Sequence, residues 1–482
     1  MRKLKLLQKF EQLPFGLKLS FAFAMCNIMQ KAIQFITTPL FTRILSTSEY
    51  GQFTLYSSWY GIISIFATLN LSYGVLNNAL VKYEEDRDVY ISSMQGLTVV
   101  SSILTFAVLL SLESILGNFT GQPQIVFLVM FLQCIFTPST SFWSTRERFE
   151  NRYKGLVIVT ILITVLTTLF SLFYVIISNQ KGIARITSSA VISIIVGIIF
   201  FIYQMKKGKV FYHAKYWSFA LKFNLPLIPH YLSLIVLGQA DRIMIGNYEG
   251  ETQVAIYGLT YSLSLVMSIV TQSINSSFIP WTYQECKKRN YQRIGEVSNG
   301  ILFAVAVLSL MPVLLAPELM AILGPKEYAE GAYLVAPIST SVFFTFLYSL
   351  FGNIEFYFEK SKFVMIASVL GAVLNIILNA ICIPLFGYQA AAYTTLVCYI
   401  AFSVTHYLFM KKTCKEQGIT EPIYDVKKII ILGLFLLIVA HGIMLTYSYL
   451  IVRVALIAVI GLLVYKNRKK LLKEFLVLKQ KD

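Results

Sequence analysis

The stretch ARITSSAVISIIVGIIFFIYQMKKGKVFYHAK, residues 184–215, holds the pattern on which the fold turns. Its first part, 184–205, is apolar and as long as a helix must be to cross a bilayer, for which about 20 residues suffice. Its second part closes the run with Lys206, Lys207, Lys209 and Lys215. Read outward in both directions, the same alternation recurs. Fourteen apolar runs are expected to span the membrane: 18–41, 51–72, 90–112, 123–144, 155–178, 184–205, 218–240, 253–276, 296–317, 332–357, 363–385, 389–410, 428–446 and 449–465. Six basic residues (Arg43, Lys181, Arg185, Arg242, Lys326, Arg453) fall in or at the odd gaps. The even gaps and the two ends hold 33, and Lys31 and Lys222, within spans, complete the 41. Basic residues collect on the cytoplasmic side. An even number of spans with this bias predicts a multi-pass protein of the bacterial cytoplasmic (inner) membrane, with its N and C termini in the cytoplasm.

Composition agrees: 56% hydrophobic and 13% charged residues exclude a large soluble enzyme. The net charge of +17 does not indicate nucleic acid, because the excess sits in loops and ends. Met1 to Ser20 lacks an apolar core followed by small residues at a cut site, so the first span is expected to stay as an anchor. Cys26, Cys134, Cys382 and Cys398 lie within spans, Cys286 and Cys414 in cytoplasmic gaps. None has CxxC spacing or a histidine partner, so neither disulfides nor zinc is implied. His213, His230, His406 and His441 are too scattered for a metal cluster. Leu4, Leu7 and Phe10 interleave with Arg2, Lys3, Lys5 and Lys9. At the other end Leu471, Leu472, Phe475 and Leu476 interleave with Lys469, Lys470 and Lys473. Both ends read either as amphipathic helices on the anionic inner leaflet or as solvated basic tails.

The basic gap 206–217 divides two six-span sets with weak internal likeness. Thr42-Arg43-Ile44-Leu45 and Asp241-Arg242-Ile243-Met244 stand near the start of each, followed by Tyr50-Gly51 and Tyr257-Gly258. From that anchor Ser57 falls on Ser264, Ser64 on Thr271 and Thr68 on Asn275. Phe149-Glu150-Asn151-Arg152 and Phe358-Glu359-Lys360-Ser361 end the fourth helix of each set. The expected architecture is all-α: an N-terminal lobe (1–205), a cytoplasmic linker (206–217), a C-terminal lobe (218–412), a cytoplasmic loop (413–427) and an appended helix pair with a basic tail (428–482). Six spans per lobe make the lobes parallel repeats about an axis normal to the membrane, with a central cavity between them.

Thr-Arg-Ile-Leu-(x)4-Tyr-Gly after the first helix, Pro226-x-x-Pro229 in the seventh, and Asp241-Arg242-x-Met244-Ile245-Gly246 at its far end resemble the polysaccharide-transport (Wzx-type) flippases. These are similar to the lipid II flippases and multidrug antiporters of the same superfamily. The resemblance covers about residues 15 to 465. It implies a V-shaped pair of lobes that flips an undecaprenyl-diphosphate-linked oligosaccharide from the inner to the outer leaflet.

The sharpest candidate residue is Lys31, roughly 14–18 Å from either end of the first span at about 1.5 Å per residue. A lysine at that depth costs on the order of 3 kcal/mol. With Asn27, Gln30, Gln34 and Thr38 it forms one polar stripe at spacings of three and four. The stripe lines a wet cavity or glues helices by hydrogen bonds; the charge favours the cavity. In the seventh span, bent by its prolines, Lys222, Asn224 and His230 are further cavity candidates. Lys222 equally suits a snorkelling anchor and His230 a satisfied core histidine. Asn275 and the hydroxyls of spans two and eight suit sugar hydroxyls or helix packing. Arg43, Glu49, Asp241 and Arg242 read as an outer gate closed by opposite charges, or as arginines meeting headgroups.

The expected function is a lipid-linked oligosaccharide flippase acting by alternating access in capsule, O-antigen or exopolysaccharide assembly. It is not an enzyme, and Lys31 is a midway counter-charge for the diphosphate. It needs no cofactor; proton or sodium coupling is open. Expected partners are the lipid-linked oligosaccharide, membrane lipids, and a polysaccharide polymerase with its chain-length regulator. The rivals are an ion-coupled multidrug or metabolite antiporter of the same fold, and an integral-membrane glycan polymerase. The antiporter would usually expose cavity carboxylates, and the polymerase a sizeable outer loop; neither feature is evident.

Overall fold

A computed structural model describes residues 15–116, 123–150 and 152–477; the side chains of 15–24, Asn27, 114–116, Tyr153, Ser361, Asn467 and 469–477 lie outside the description. The amphipathic reading of both ends, and Asn27, therefore fall outside the described side chains.

The described chain is helical throughout, without strands. Every one of the fourteen apolar runs except the seventh lies mainly on one long helix. Eleven helical stretches among the described residues are long and apolar enough to cross a membrane. The other three runs form Phe15–Ile44, Thr47–Thr68 and Leu450–Val477. Contacts divide the chain into two compact units, Met1–Leu232 and Ser233–Asp482.

The first unit contains α1 (Phe15–Ile44), α2 (Thr47–Thr68), the short α3 (Gly74–Lys82), α4 (Arg87–Leu116), α5 (Gln124–Phe149), α6 (Tyr153–Ile177), α7 (Lys181–Gly208) and α8 (Ala214–Asn224). Its core is largely aromatic. Tyr83, Tyr90, Phe142 and Tyr216 pack with Leu76, Leu80 and Met94, and a second cluster joins Tyr56, Phe106, Phe127 and Met130. Close approach of α5 and α7 depends on Gly197, where a Cβ would lie 2.4 Å from the carbonyl oxygen of Phe136. In a bilayer, small residues of this kind set how tightly helices meet.

The expected seventh span is two helices. α8 stops at Asn224, a 3₁₀ turn covers Leu225–Leu227, and α9 runs over Ile228–Glu249. Pro226 and Pro229 remove two backbone donors at that junction, which breaks the helix there. α9 also runs nine residues past the expected end at 240.

The second unit continues with α10 (Glu251–Lys287), α11 (Tyr291–Leu314), α12 (Ala316–Leu323), a 3₁₀ segment (Lys326–Leu334), α13 (Val335–Tyr357), α14 (Ser361–Phe386), α15 (Ala390–Glu416), α16 (Val426–Met444) and α17 (Leu450–Val477). α13 is its axis, buried along most of its length and packed against α10, α11, α15 and α16. α16 and α17 both pack on α11. The last helix is fastened by Arg453, which donates to Glu318 through Nη1 at 2.5 Å and Nη2 at 2.6 Å, and to the carbonyl of Leu314 at 3.0 Å.

Those hydrogen bonds hold the Glu318 carboxyl below its usual range. A depressed carboxyl contributes stability above its ordinary value, about 4.3, and loses it as pH falls through the lowered one. Glu318→Gln should thus lower thermal stability in detergent at pH 7 but converge with wild type in acid. A gap of constant size down to about pH 3 would mean that charge plays no part in the clip.

Candidate functional site

Lys31 lies in the middle of α1, half-buried. Among the described residues it makes no hydrogen bond or ion pair. Its neighbour Gln30 donates to Thr164 Oγ1 on α6 at 3.3 Å. Gln34 is exposed, and its carbonyl accepts from Thr38 at 2.9 Å. The stripe thus keeps one unneutralised cation beside amides and hydroxyls.

On the same unit lies a polar pocket that the sequence reading did not foresee. A cavity of about 230 Å³ is bounded by α1, α5, α6 and α7 and lined by Gln30, Thr137, Thr140, Ser144, Arg148 and Thr160 among others. Its sequence signal is the spacing on α5, where Thr137, Ser141, Ser144 and Arg148 follow one another at three or four residues along one helical face.

The remaining candidates resolve differently. Asn224 is buried, and its amide donates to the carbonyls of Leu69 at 2.8 Å and Asn70 at 3.1 Å. Those two residues form a left-handed turn (φ 48° and 50°) after α2, so Asn224 ties α8 to that turn. Its amide N–H groups thus act as a structural fastener. Two more bonds dock α8 on the first unit: Tyr216 OH donates to Asp86 at 2.8 Å, and Trp217 Nε1 to the carbonyl of Ser93 at 2.9 Å. Lys222 is exposed, as a snorkelling anchor would be. His230 is half-buried beside Tyr231. Asn275 accepts from Asn353 at 2.9 Å, joining α10 to α13. Ser57, Ser64, Thr68, Ser264 and Thr271 each donate back into their own helix. Each hydroxyl proton is thus used within its own helix; Ser57 is exposed, and Ser264 and Thr271 are buried.

The expected gate residues have other duties. Glu49 closes a capping box at the start of α2, accepting from Ser46 N at 2.8 Å, and pairs with no arginine among the described residues. Arg43 is exposed and donates to the carbonyl of Pro39 at 3.0 Å. Arg242 donates to Gln239 at 2.8 Å and lies 4.5 Å from the ring centroid of Tyr261.

Asp241 departs most from expectation. It is not at a helix end but inside α9, 1% exposed. Tyr257 OH and Thr395 Oγ1 each donate to Oδ2 at 2.6 Å, and Asn379 Nδ2 donates to Oδ1 at 2.6 Å. Asn379 accepts in turn from Thr394 and lies 3.3 Å from Asn375 Oδ1. Every one of these residues is buried. Asn375 and Asn379 share a face of α14 one turn apart, and Thr394 and Thr395 come from the start of α15. Four elements thus converge on one carboxylate, and no ion pair neutralises it among the described residues. Three neutral donors stabilise the anion, but an unpaired charge in a low-dielectric interior still carries a large penalty. Binding a proton or a small monovalent cation removes that penalty. Amide and hydroxyl oxygens beside the carboxylate are hard donors suited to such a cation, and no His, Cys, Asp or Glu cluster for a transition metal occurs among the described residues.

A family model described as polysaccharide biosynthesis protein matches residues 17–286, and one described as MatE matches 226–381. The "Lsg locus putative protein 1" of Haemophilus influenzae is 24% identical over 73% of this chain and 87% of its own length. The "Probable low-salt glycan biosynthesis flippase Agl15" of Haloferax volcanii is 21% identical over 79% and 80%. Among solved structures, "Lipid II flippase MurJ, inward closed conformation" superposes with a TM-score of 0.71 at 15% identity, over 95% of this chain and 99% of that one. An inward-facing "multidrug resistance MATE family transporter of the MOP superfamily" gives 0.65 at 10% identity, over 81% and 96%.

Proposed function

Because the chain belongs to the polysaccharide biosynthesis protein family, we propose that it is a membrane flippase for an oligosaccharide linked to undecaprenyl diphosphate. It carries the repeat unit from the cytoplasmic to the outer leaflet by alternating access, for assembly of a capsule, O-antigen or exopolysaccharide. Lys31 carries the reading: a half-buried cation in mid-span, without hydrogen bond or ion pair among the described residues, suits an anion that must cross between headgroup layers. The prenyl tail stays in lipid, and the sugars occupy polar surface such as the hydroxyl-lined pocket of the first unit. No covalent step is required. The name of the Haloferax volcanii relative, a glycan flippase, supports the same class of cargo.

The Asp241 cluster supplies the coupling site, loading a proton or a monovalent cation. The same cluster favours the second reading, an ion-coupled multidrug or metabolite antiporter, because the MatE match over 226–381 includes Asp241, Asn375 and Asn379. A strain lacking the protein separates the two. Loss of surface glycan, with lipid-linked repeat units held on the cytoplasmic side and restored by the wild-type chain, is the flippase outcome. Unchanged glycan with new sensitivity to cationic drugs would replace it with the antiporter.

The proposed topology has fourteen spans and both ends in the cytoplasm. Single cysteines introduced into a cysteine-free variant should react with an impermeant thiol reagent from outside at Gln180 and Lys326. They should react only after permeabilisation at Lys207, Lys287 and Lys412. Labelling of position 207 from outside would break the even-span arrangement.

A further inference from the structure

A second buried titratable group lies in the second unit and takes no part in the Asp241 cluster. Glu355 on α13 and His406 on α15 are 0% and 1% exposed. His406 is eleven residues beyond Thr395 on the same helix, about 16 Å away at 1.5 Å per residue. His406 Nδ1 lies 3.0 Å from Glu355 Oε1. The outer atoms of the pair, Glu355 Oε2 and His406 Nε2, are buried without a hydrogen-bond partner among the described residues. Aromatic rings wall the imidazole: Phe402 edge-on at 4.6 Å and Tyr348 stacked at 5.4 Å.

Neighbouring titratable groups are otherwise engaged or remote. Glu285 of α10 is paired with Arg293 of α11 at 3.3 Å, and Tyr424 donates to the carbonyl of Leu350 at 2.9 Å. Cys286, Tyr407 and Cys414 form no hydrogen bond or ion pair with either member. Lys287, Lys362, Lys427 and Lys428, on the helices packed around α13 and α15, are exposed. Glu355 and His406 therefore answer only to each other.

Three charge states are open to such a pair. Carboxylate with neutral imidazole leaves a buried negative charge; carboxylic acid with imidazolium leaves a buried positive one. Both are penalised in a low-dielectric interior. The state with one proton, on Oε1 or Nδ1, is neutral, and that proton belongs to the pair and to neither residue alone. We propose that Glu355 and His406 form a proton-binding site that holds one shared proton while buried and exchanges it when the α13–α15 contact opens to water. Release puts one proton into water and leaves carboxylate and neutral imidazole; reloading reverses this, with no other bond changed.

Linkage supplies the test. An unfolded histidine titrates at about 6.5, so above that pH the folded pair holds one proton more than the unfolded chain. Stability must then fall as pH rises. Unfolding of the purified full-length protein in detergent should become tenfold more favourable per pH unit between about pH 7 and 9, relative to Glu355→Gln. That variant keeps the hydrogen bond, its amide N–H donating to Nδ1, but has no proton to release. His406→Gln, which leaves a buried carboxylic acid, should show the slope from about pH 4.3 upward, and carries the measurement if Glu355→Gln folds poorly. Equal slopes in wild type and Glu355→Gln, or a flat His406→Gln profile, would overturn the shared proton.

Export reads the exchange and rests on the proposed flippase function. At matched protein level Glu355→Gln should export surface glycan at least tenfold less than wild type. Normal export would make the pair a helix clip only. If the wild-type chain itself restores no export, the flippase reading fails while the pH slope stands.

Discussion

Replacing Lys31 by glutamine should abolish export of the surface glycan as completely as replacing it by alanine. Glutamine keeps polarity and hydrogen-bonding capacity without the charge, so the comparison tests the cation. Two unit charges 4 Å apart at an effective dielectric near 20 interact by about 4 kcal/mol, which is about three orders of magnitude in rate or affinity. Lipid-linked repeat units should accumulate on the cytoplasmic side. Arginine preserves the cation with a different donor geometry and should retain part of the activity. Removing a charge from the centre of a span makes it easier to insert, so immunoblots should show undiminished protein for glutamine and alanine. Full export by Lys31→Gln would turn the stripe of α1 into packing surface and remove the best support for an anionic cargo.

Asp241→Asn should be nearly as damaging, for a different reason. The carboxylate accepts from Tyr257, Thr395 and Asn379. An asparagine keeps one acceptor oxygen and sets an amide N–H against a donor, which destabilises by about 1–3 kcal/mol without emptying the space. It also removes the charge that loads a proton or cation. Export should fall at least a hundredfold while a folded fraction remains. Thermal stability of the wild-type protein should distinguish the coupling species. A gain with sodium or lithium over potassium, lost in Asp241→Asn, identifies a monovalent cation; a pH dependence that is lost in Asp241→Asn but kept in Glu355→Gln and Glu318→Gln, with no effect of the cation, identifies a proton. Normal export by Asp241→Asn would remove the cluster from the transport cycle. Thr395→Val, which deletes one donor and keeps the shape, should reduce export less.

Much of the helical layout is legible in the residues. All the apolar runs but the seventh lie mainly on one long helix, because length and hydropathy are local properties, and Pro226 and Pro229 mark the break between α8 and α9 that divides the seventh. The short helices α3 and α12 and the extension of α10 to Lys287 escaped, since apolar content marks the part that suits lipid and not where the hydrogen-bonded helix stops. Site residues were less legible. Asp241 looked terminal because its hydrophobic run ends at 240, while its partners Asn379 and Thr395 lie 138 and 154 residues away. The Asn375-x-x-x-Asn379 spacing inside an otherwise apolar run was the available hint. Asn224 shows a different limit. A polar residue in a span suggested a ligand, but its amide serves two carbonyls of a left-handed turn that no local pattern announces. Glu355 and His406 are ordinary apart; only the packing of α13 on α15 makes them a pair.

The fastening of the last helix has a consequence for how this architecture can change over generations. Arg453 is deeply buried, whereas Glu318 keeps 40% of its side chain exposed. A lineage that loses the arginine leaves behind a glutamate that water can still reach. A lineage that first loses the glutamate strands an arginine in the interior, where an unpaired charge is severely penalised. Descent therefore loses the arginine at less cost than the glutamate. Among descendants of a common ancestor, the glutamate should outlive the arginine.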